Sequence, residues 1–84
     1  MTQAYGQSIK IRTSVLVFLK NAVAPLVLYL DNPQQEYLNL LEIYKNQNNI
    51  AKIIEKDTNG PIKKIAFLSN QIAAVGLQEE QVIG

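Results

Sequence analysis

Between Ser8 and Lys20 the apolar residues fall on alternate positions: Ile9, Ile11, Val15, Val17 and Leu19 share one side with Thr13, and Lys10, Arg12 and Ser14 open the other. A period of two is that of a β-strand. From Leu16 and Phe18 onward the second side is apolar as well. Two covered faces are expected there, as in a central strand or one that meets a partner. Residues 20–25, punctuated by Pro25, predict a reversal, and Leu26 to Leu30 a second strand. The run from Val15 to Leu30 is not a membrane span, because about 20 apolar residues are needed and Lys20, Asn21 and Pro25 interrupt it.

The next periodicity is helical. Asn32 suits an N-cap, Pro33 suits the first helical position because its missing N–H would be unpaired there, and Gln35 stands where a capping box needs it. The helix is expected from Pro33 to about Asn46. Asp31 and Glu36 lie near its positive end and Lys45 near its negative end, which complements the macrodipole. Tyr37, Leu40, Leu41 and Tyr44 make one stripe. Leu38 and Ile43 widen it to an arc of about 200°, wider than one buried face requires, so the helix should touch more than one surface.

After Gln47-Asn48-Asn49, alternation resumes over 50–56 as a third strand. Asp57-Thr58-Asn59-Gly60-Pro61 predicts a turn, with Gly60 free to take positive φ. Ile62 to Leu68 is a fourth strand, Ser69-Asn70-Gln71 a second turn, and Ile72 to Gln78 a fifth strand with Gly76 as a bulge or a close backbone approach. The reading is a small single α+β domain over 8–78, in β-β-α-β-β-β order, with one helix packed on a mainly antiparallel sheet. Residues 1–7 and 79–84 are expected to be mobile terminal segments.

Eighty-four residues bury only about 60 to 65% of the unfolded chain's surface, so the core should be thin. Charged residues make up 18% of the chain, fewer than an average domain carries, and eight asparagines and eight glutamines take over much of the polar surface. A net charge of +1 gives no long-range attraction to nucleic acid or to an acidic membrane. The amino terminus has neither a basic nor an apolar signal region. With no cysteine there are no disulfides, which suits a cytoplasmic location, and with no histidine the commonest metal ligand and general base are both missing.

That absence shapes the candidate chemistry. Asp57-Thr58-Asn59-Gly60 begins like a calcium loop but lacks the distal glutamate, and reads as a hairpin turn. Glu55 with Asp57, and Glu79 with Glu80, sit at expected strand ends, where solvent opposes the pKa splitting that acid–base work requires. Ser8, Ser14 and Ser69 have no base to activate them. The glycines form no phosphate-binding loop, and Asp31 would repel an anion at the helix start. The chain is therefore expected to be neither an enzyme nor a cofactor- or metal-binding protein.

Two surfaces remain. Lys10, Arg12, Lys52, Lys56, Lys63 and Lys64 could contact a nucleic-acid backbone, or could simply be the solvated face and guarded edges of a sheet, the reading that near-zero net charge favours. Leu16, Phe18, Leu38 and Ile43 are apolar positions in excess of one core face per element, and a thin core gains from association. Ile65 to Val75, a strand, a short polar turn and an Ile-x-x-Val segment, resembles the carboxyl end of many small β-rich bacterial domains, including Sm-like barrels. Those barrels carry their helix ahead of the first strand, whereas here it lies mid-chain, and no family is assigned. The expectation is a cytoplasmic, non-enzymatic interaction or structural module that pairs with itself or, less favoured, with another protein. Alternatives are weak nucleic-acid binding through the lysines, and a small-molecule regulatory domain with Tyr29, Tyr37 or Tyr44 in a helix–sheet pocket.

Overall fold

Alternation along the first segment produces the strand around which the sheet is built. A computed structural model describes residues 9–47 and 50–83. In it β1 (Ile9–Leu19) is the middle strand of an antiparallel sheet of order β2-β1-β5. The short β2 (Leu26–Leu28) pairs only with Val15–Val17, whereas β5 (Ile72–Ile83) runs beside the whole of β1, from Ile9 opposite Ile83 to Leu19 opposite Ile72. The ladder breaks step between Phe18 and Leu19, where Ala73 is left over. Strands β3 (Ile53–Asp57) and β4 (Lys64–Leu68) form a separate antiparallel hairpin, and α1 (Pro33–Lys45) lies between β2 and β3 in the chain. The fold is α+β, in β-β-α-β-β-β order.

Period two places Val15, Val17, Leu28 and Val75 on one side of the sheet, and α1 packs there through Leu40. Leu40, Val15, Val17, Leu28 and Ile72 are wholly buried, and Ile54 and Phe67 bring the hairpin into the same core. Removing such side chains from water stabilises by about 1.5–3 kcal/mol each. Tyr37 and Ile43 flank Leu40 at the core's margin, while Leu38 points away with 52% of its surface exposed. The wide apolar arc of the helix thus includes two exposed residues, Leu38 and Tyr44.

Several local expectations are corrected. Asn32 occupies the N-cap position, yet its side chain makes no capping bond; its carbonyl accepts the Glu36 N–H at 2.8 Å instead. Gln35 donates to Asn39 Oδ1 at 3.0 Å and closes no capping box. With ψ at 75° Asn32 is outside the extended geometry that aims a cap at the first turn, and Pro33 sets the helix start. Strand β2 stops at Leu28, with Tyr29 making one isolated bridge to Asn59, and β3 and β4 begin at Ile53 and Lys64, later than expected.

The loop between β3 and β4 spends its polar groups on itself and on β2. Thr58 N–H donates to the Lys63 carbonyl at 2.9 Å, the Thr58 hydroxyl donates to the Ile62 carbonyl, and Asn59 N–H donates to the Tyr29 carbonyl at 2.7 Å. Gly60, at φ 88°, lies against the Tyr29 ring, where a Cβ would stand 3.1 Å from Cδ2. At the earlier reversal Asn21 takes φ 63°, a conformation asparagine tolerates better than most residues.

The largest correction concerns the carboxyl terminus. Glu79 to Ile83 are strand, paired with Ile9 to Thr13, and do not form a loose tail. Arg12 stands opposite Glu80 in this register, so an opposite-charge pair supports it. Since β2 ends at Leu28, opposite Val15, the outer halves of β1 and β5 continue as a two-stranded ribbon, and the molecule measures 60 × 23 × 22 Å. The expectation for residues 1–7, and Gly84 of the other terminal segment, lie outside the described residues. Among the described residues no helix is long and apolar enough to cross a membrane.

Candidate functional site

Alternation that buries Val15 and Val17 beneath the helix must turn Arg12, Ser14, Leu16 and Phe18 to the opposite side of the sheet. The registers bring Val27 from β2, and Ala74, Gly76, Gln78 and Glu80 from β5, to that same side, and Tyr29, just beyond β2, reaches Arg12 and Glu80 there. The helix packs on the other side of the sheet, and the turn at Gly60 reaches Tyr29 at the margin of this one.

One end of this face is apolar. Leu16 and Phe18 lie over Gly76, where a Cβ would meet Leu16 Cβ at 3.6 Å and Phe18 Cε1 at 3.9 Å, ordinary contact distances. Phe18 nonetheless keeps 38% of its surface exposed, beside half-buried Leu16, Val27 and Ala74. The other end is polar. Tyr29 donates its hydroxyl to Glu80 Oε1 at 3.0 Å and accepts from Arg12 Nη2 at 3.3 Å. Arg12 Nη2 lies 3.5 Å from Glu80 Oε2, and its guanidinium stacks 4.3 Å from the centre of the Tyr29 ring. Donation to Glu80 and partial desolvation raise the Tyr29 pKa above its ordinary value, while the Arg12 charge opposes them. Between the two ends Ser14 is wholly buried, with no hydrogen-bond partner for its hydroxyl.

The four apolar candidates do not share one patch. Leu16 and Phe18 sit on the face turned away from the helix, whereas Ile43 packs at the core margin and Leu38 is exposed on the helix, across the sheet. Nor do the six cations form one surface. Arg12 is paired with Glu80, Lys56 Nζ lies 2.6 Å from Glu36 Oε1 on the helix, and Lys64 Nζ lies 3.4 Å from Asp57 in full solvent. Lys10 stays exposed on the ribbon, with Lys52 before β3 and Lys63 before β4. Three of the six are held by carboxylates, and the rest are scattered. No known family, curated protein or solved structure matches this chain.

A cavity of about 460 Å³ opens between the end of α1 and β3, lined in part by Glu42, Ile43, Gln47, Lys52, Ile54 and Ser69. No tyrosine lines it, and its polar groups are largely engaged. The Gln47 amide donates to the Ser69 and Ile72 carbonyls at 2.9 and 3.1 Å, and Lys52 N–H donates to Ser69 Oγ at 2.9 Å. Among the described residues no three metal-capable side chains gather. The polar cluster of Arg12, Tyr29 and Glu80 escaped the sequence reading, because its members come from β1, from the residue after β2 and from β5, segments whose pairing no local pattern encodes.

Proposed function

We propose that this protein is a non-enzymatic interaction module that associates with further copies of itself through the sheet face turned away from the helix. The observation that carries this reading is Phe18, which stays 38% exposed beside half-buried Leu16, Val27 and Ala74 at the apolar end of that face. A thin core leaves such a face with a large return from burial, at about 25 cal/mol per Å² of apolar surface removed from water. Dispersal and pairing of the cations weigh against a nucleic-acid contact, and the occupied amide and hydroxyl of the cavity against a small-molecule site. A cytoplasmic setting fits a chain whose stability calls on no disulfide.

Light scattering of the purified protein tests the reading. The wild type should be oligomeric, and Phe18→Glu should lower the particle mass while circular dichroism keeps its strand and helix signals. A monomeric wild type, or a Phe18→Glu variant of unchanged mass and melting temperature, would count against it.

A further inference from the structure

Strand β5 is an edge strand along its whole length, since the sheet order leaves nothing on its outer side. Gln47 caps the Ile72 carbonyl, and from Ala74 onward no described backbone group pairs with that outer edge. A long edge of unpaired N–H and C=O groups is a template for another strand, and proteins normally guard it with proline, lysine, a bulge or a short length. Here the irregularity lies at the start of β5, and the regular stretch beyond it contains neither proline nor lysine, its only charges being Glu79 and Glu80.

We propose that this edge binds the β5 edge of a second copy, antiparallel, about a two-fold axis that passes beside Leu77. The inference rests on the self-association reading and names a contact separate from the Phe18 face. Symmetry limits the choice. An antiparallel pair of identical strands must place one residue opposite its own copy, so that each face of one sheet continues into the same face of the other. Centring on Glu79 or Glu80 sets like charges directly opposite, and centring on Gln78 leaves the two Glu79 residues as diagonal neighbours about 7–8 Å apart.

Centring on Leu77 avoids both conflicts. It sets Leu77 against Leu77, Gly76 against Gln78, Val75 against Glu79 and Ala74 against Glu80. The two Glu79 side chains are then about 13 Å apart along the strands, beyond the Debye length of about 8 Å at physiological salt. Leu77, now 42% exposed, meets its own copy. Pairing from Ala74 to Glu80 adds about six to eight inter-strand hydrogen bonds, within the range of a whole protein interface. The result is one six-stranded sheet of order β2-β1-β5-β5-β1-β2, with the two Phe18 faces on the same side.

The chain has no cysteine, so single substitutions can read the register directly. In solution, Leu77→Cys should be converted to a covalent dimer by a short thiol crosslinker, whereas Gln81→Cys, whose copies would lie about 26 Å apart along the strands, should not. Leu77→Glu and Leu77→Lys should each lower the particle mass, and an equimolar mixture of the two should recover it as a heterodimer. Crosslinking through Gln81→Cys but not Leu77→Cys overturns the register. An oligomeric wild type whose mass survives Leu77→Glu, or variants that dissociate but do not recover on mixing, overturns the edge contact and leaves the Phe18 face standing. A monomeric wild type removes both.

Discussion

Tyr29 joins parts of the fold that the chain keeps far apart, since its ring carries Arg12, its hydroxyl bonds to Glu80 and Gly60 rests against it. Because donation to Glu80 raises its pKa, the folded state holds this proton more tightly than the unfolded chain, whose tyrosines titrate at about 10. The sign follows from linkage: where the folded state binds more protons, stability falls as pH rises. The Tyr29 contribution is therefore complete below about pH 10 and is lost as pH climbs through the raised value. Tyr29→Phe should lower stability at neutral pH and flatten its alkaline decline. Denaturant midpoints measured from about pH 8 to 11 would check this, and parallel declines in the two proteins would exclude the Glu80 bond as the cause.

Helix α1 owes its place to packing more than to capping. Its apparent N-cap makes no side-chain bond, and Pro33 with the Asn32 carbonyl starts it. Leu40 is the residue that fastens it, wholly buried against the sheet, whereas Leu38 on the same helix faces solvent. Leu40→Ala should cost about 2–5 kcal/mol, as cavities in cores do, and Leu38→Ala within about 0.5 kcal/mol. Both replace leucine by the better helix former, so the difference isolates burial. Equal shifts in denaturant midpoint would mean that the helix is not held through Leu40. The ion pair of Lys56 with Glu36 adds a second tie, between hairpin and helix, at half-buried side chains.

At the scale of the molecule, a packed body continues into a ribbon made only of β1 and β5. Two strands alone are marginal in water, and this ribbon exposes Ile9, Ile11 and Ile83 with the Arg12–Tyr29–Glu80 cluster at its root. Opening free energies within one protein run from near zero at weakly packed segments to the global value in the core. Amide exchange should therefore be fast for residues 10–12 and 81–83 and slowest at Val15, Val17 and Leu28. Uniform protection of ribbon and body would show that they open as one unit. Lowered protection of the β5 amides in Leu77→Glu, with those of β2 unchanged, would accompany loss of the edge contact.

The local sequence was enough to determine the order of elements and the start and polarity of the helix, because periods of two and of 3.6 and the fixed φ of Pro33 act within a few residues. It also excluded thiol and imidazole chemistry outright. The apolar second side of β1, by contrast, left a central strand and a strand that meets a partner both open until the sheet order showed β1 in the middle. Only the tertiary structure decided that Glu79 to Ile83 are strand, since their partner is the chain's opposite end and their own letters read as a polar tail. It likewise divided Leu16 and Phe18 from Leu38 and Ile43, which sequence counted as one apolar surplus. It also neutralised Arg12, Lys56 and Lys64 with carboxylates from other elements or the neighbouring strand. The reason is common to all three. Periodicity fixes which side of an element a residue occupies, but what lies on that side depends on register between distant segments, and register is set by packing and charge across the whole chain.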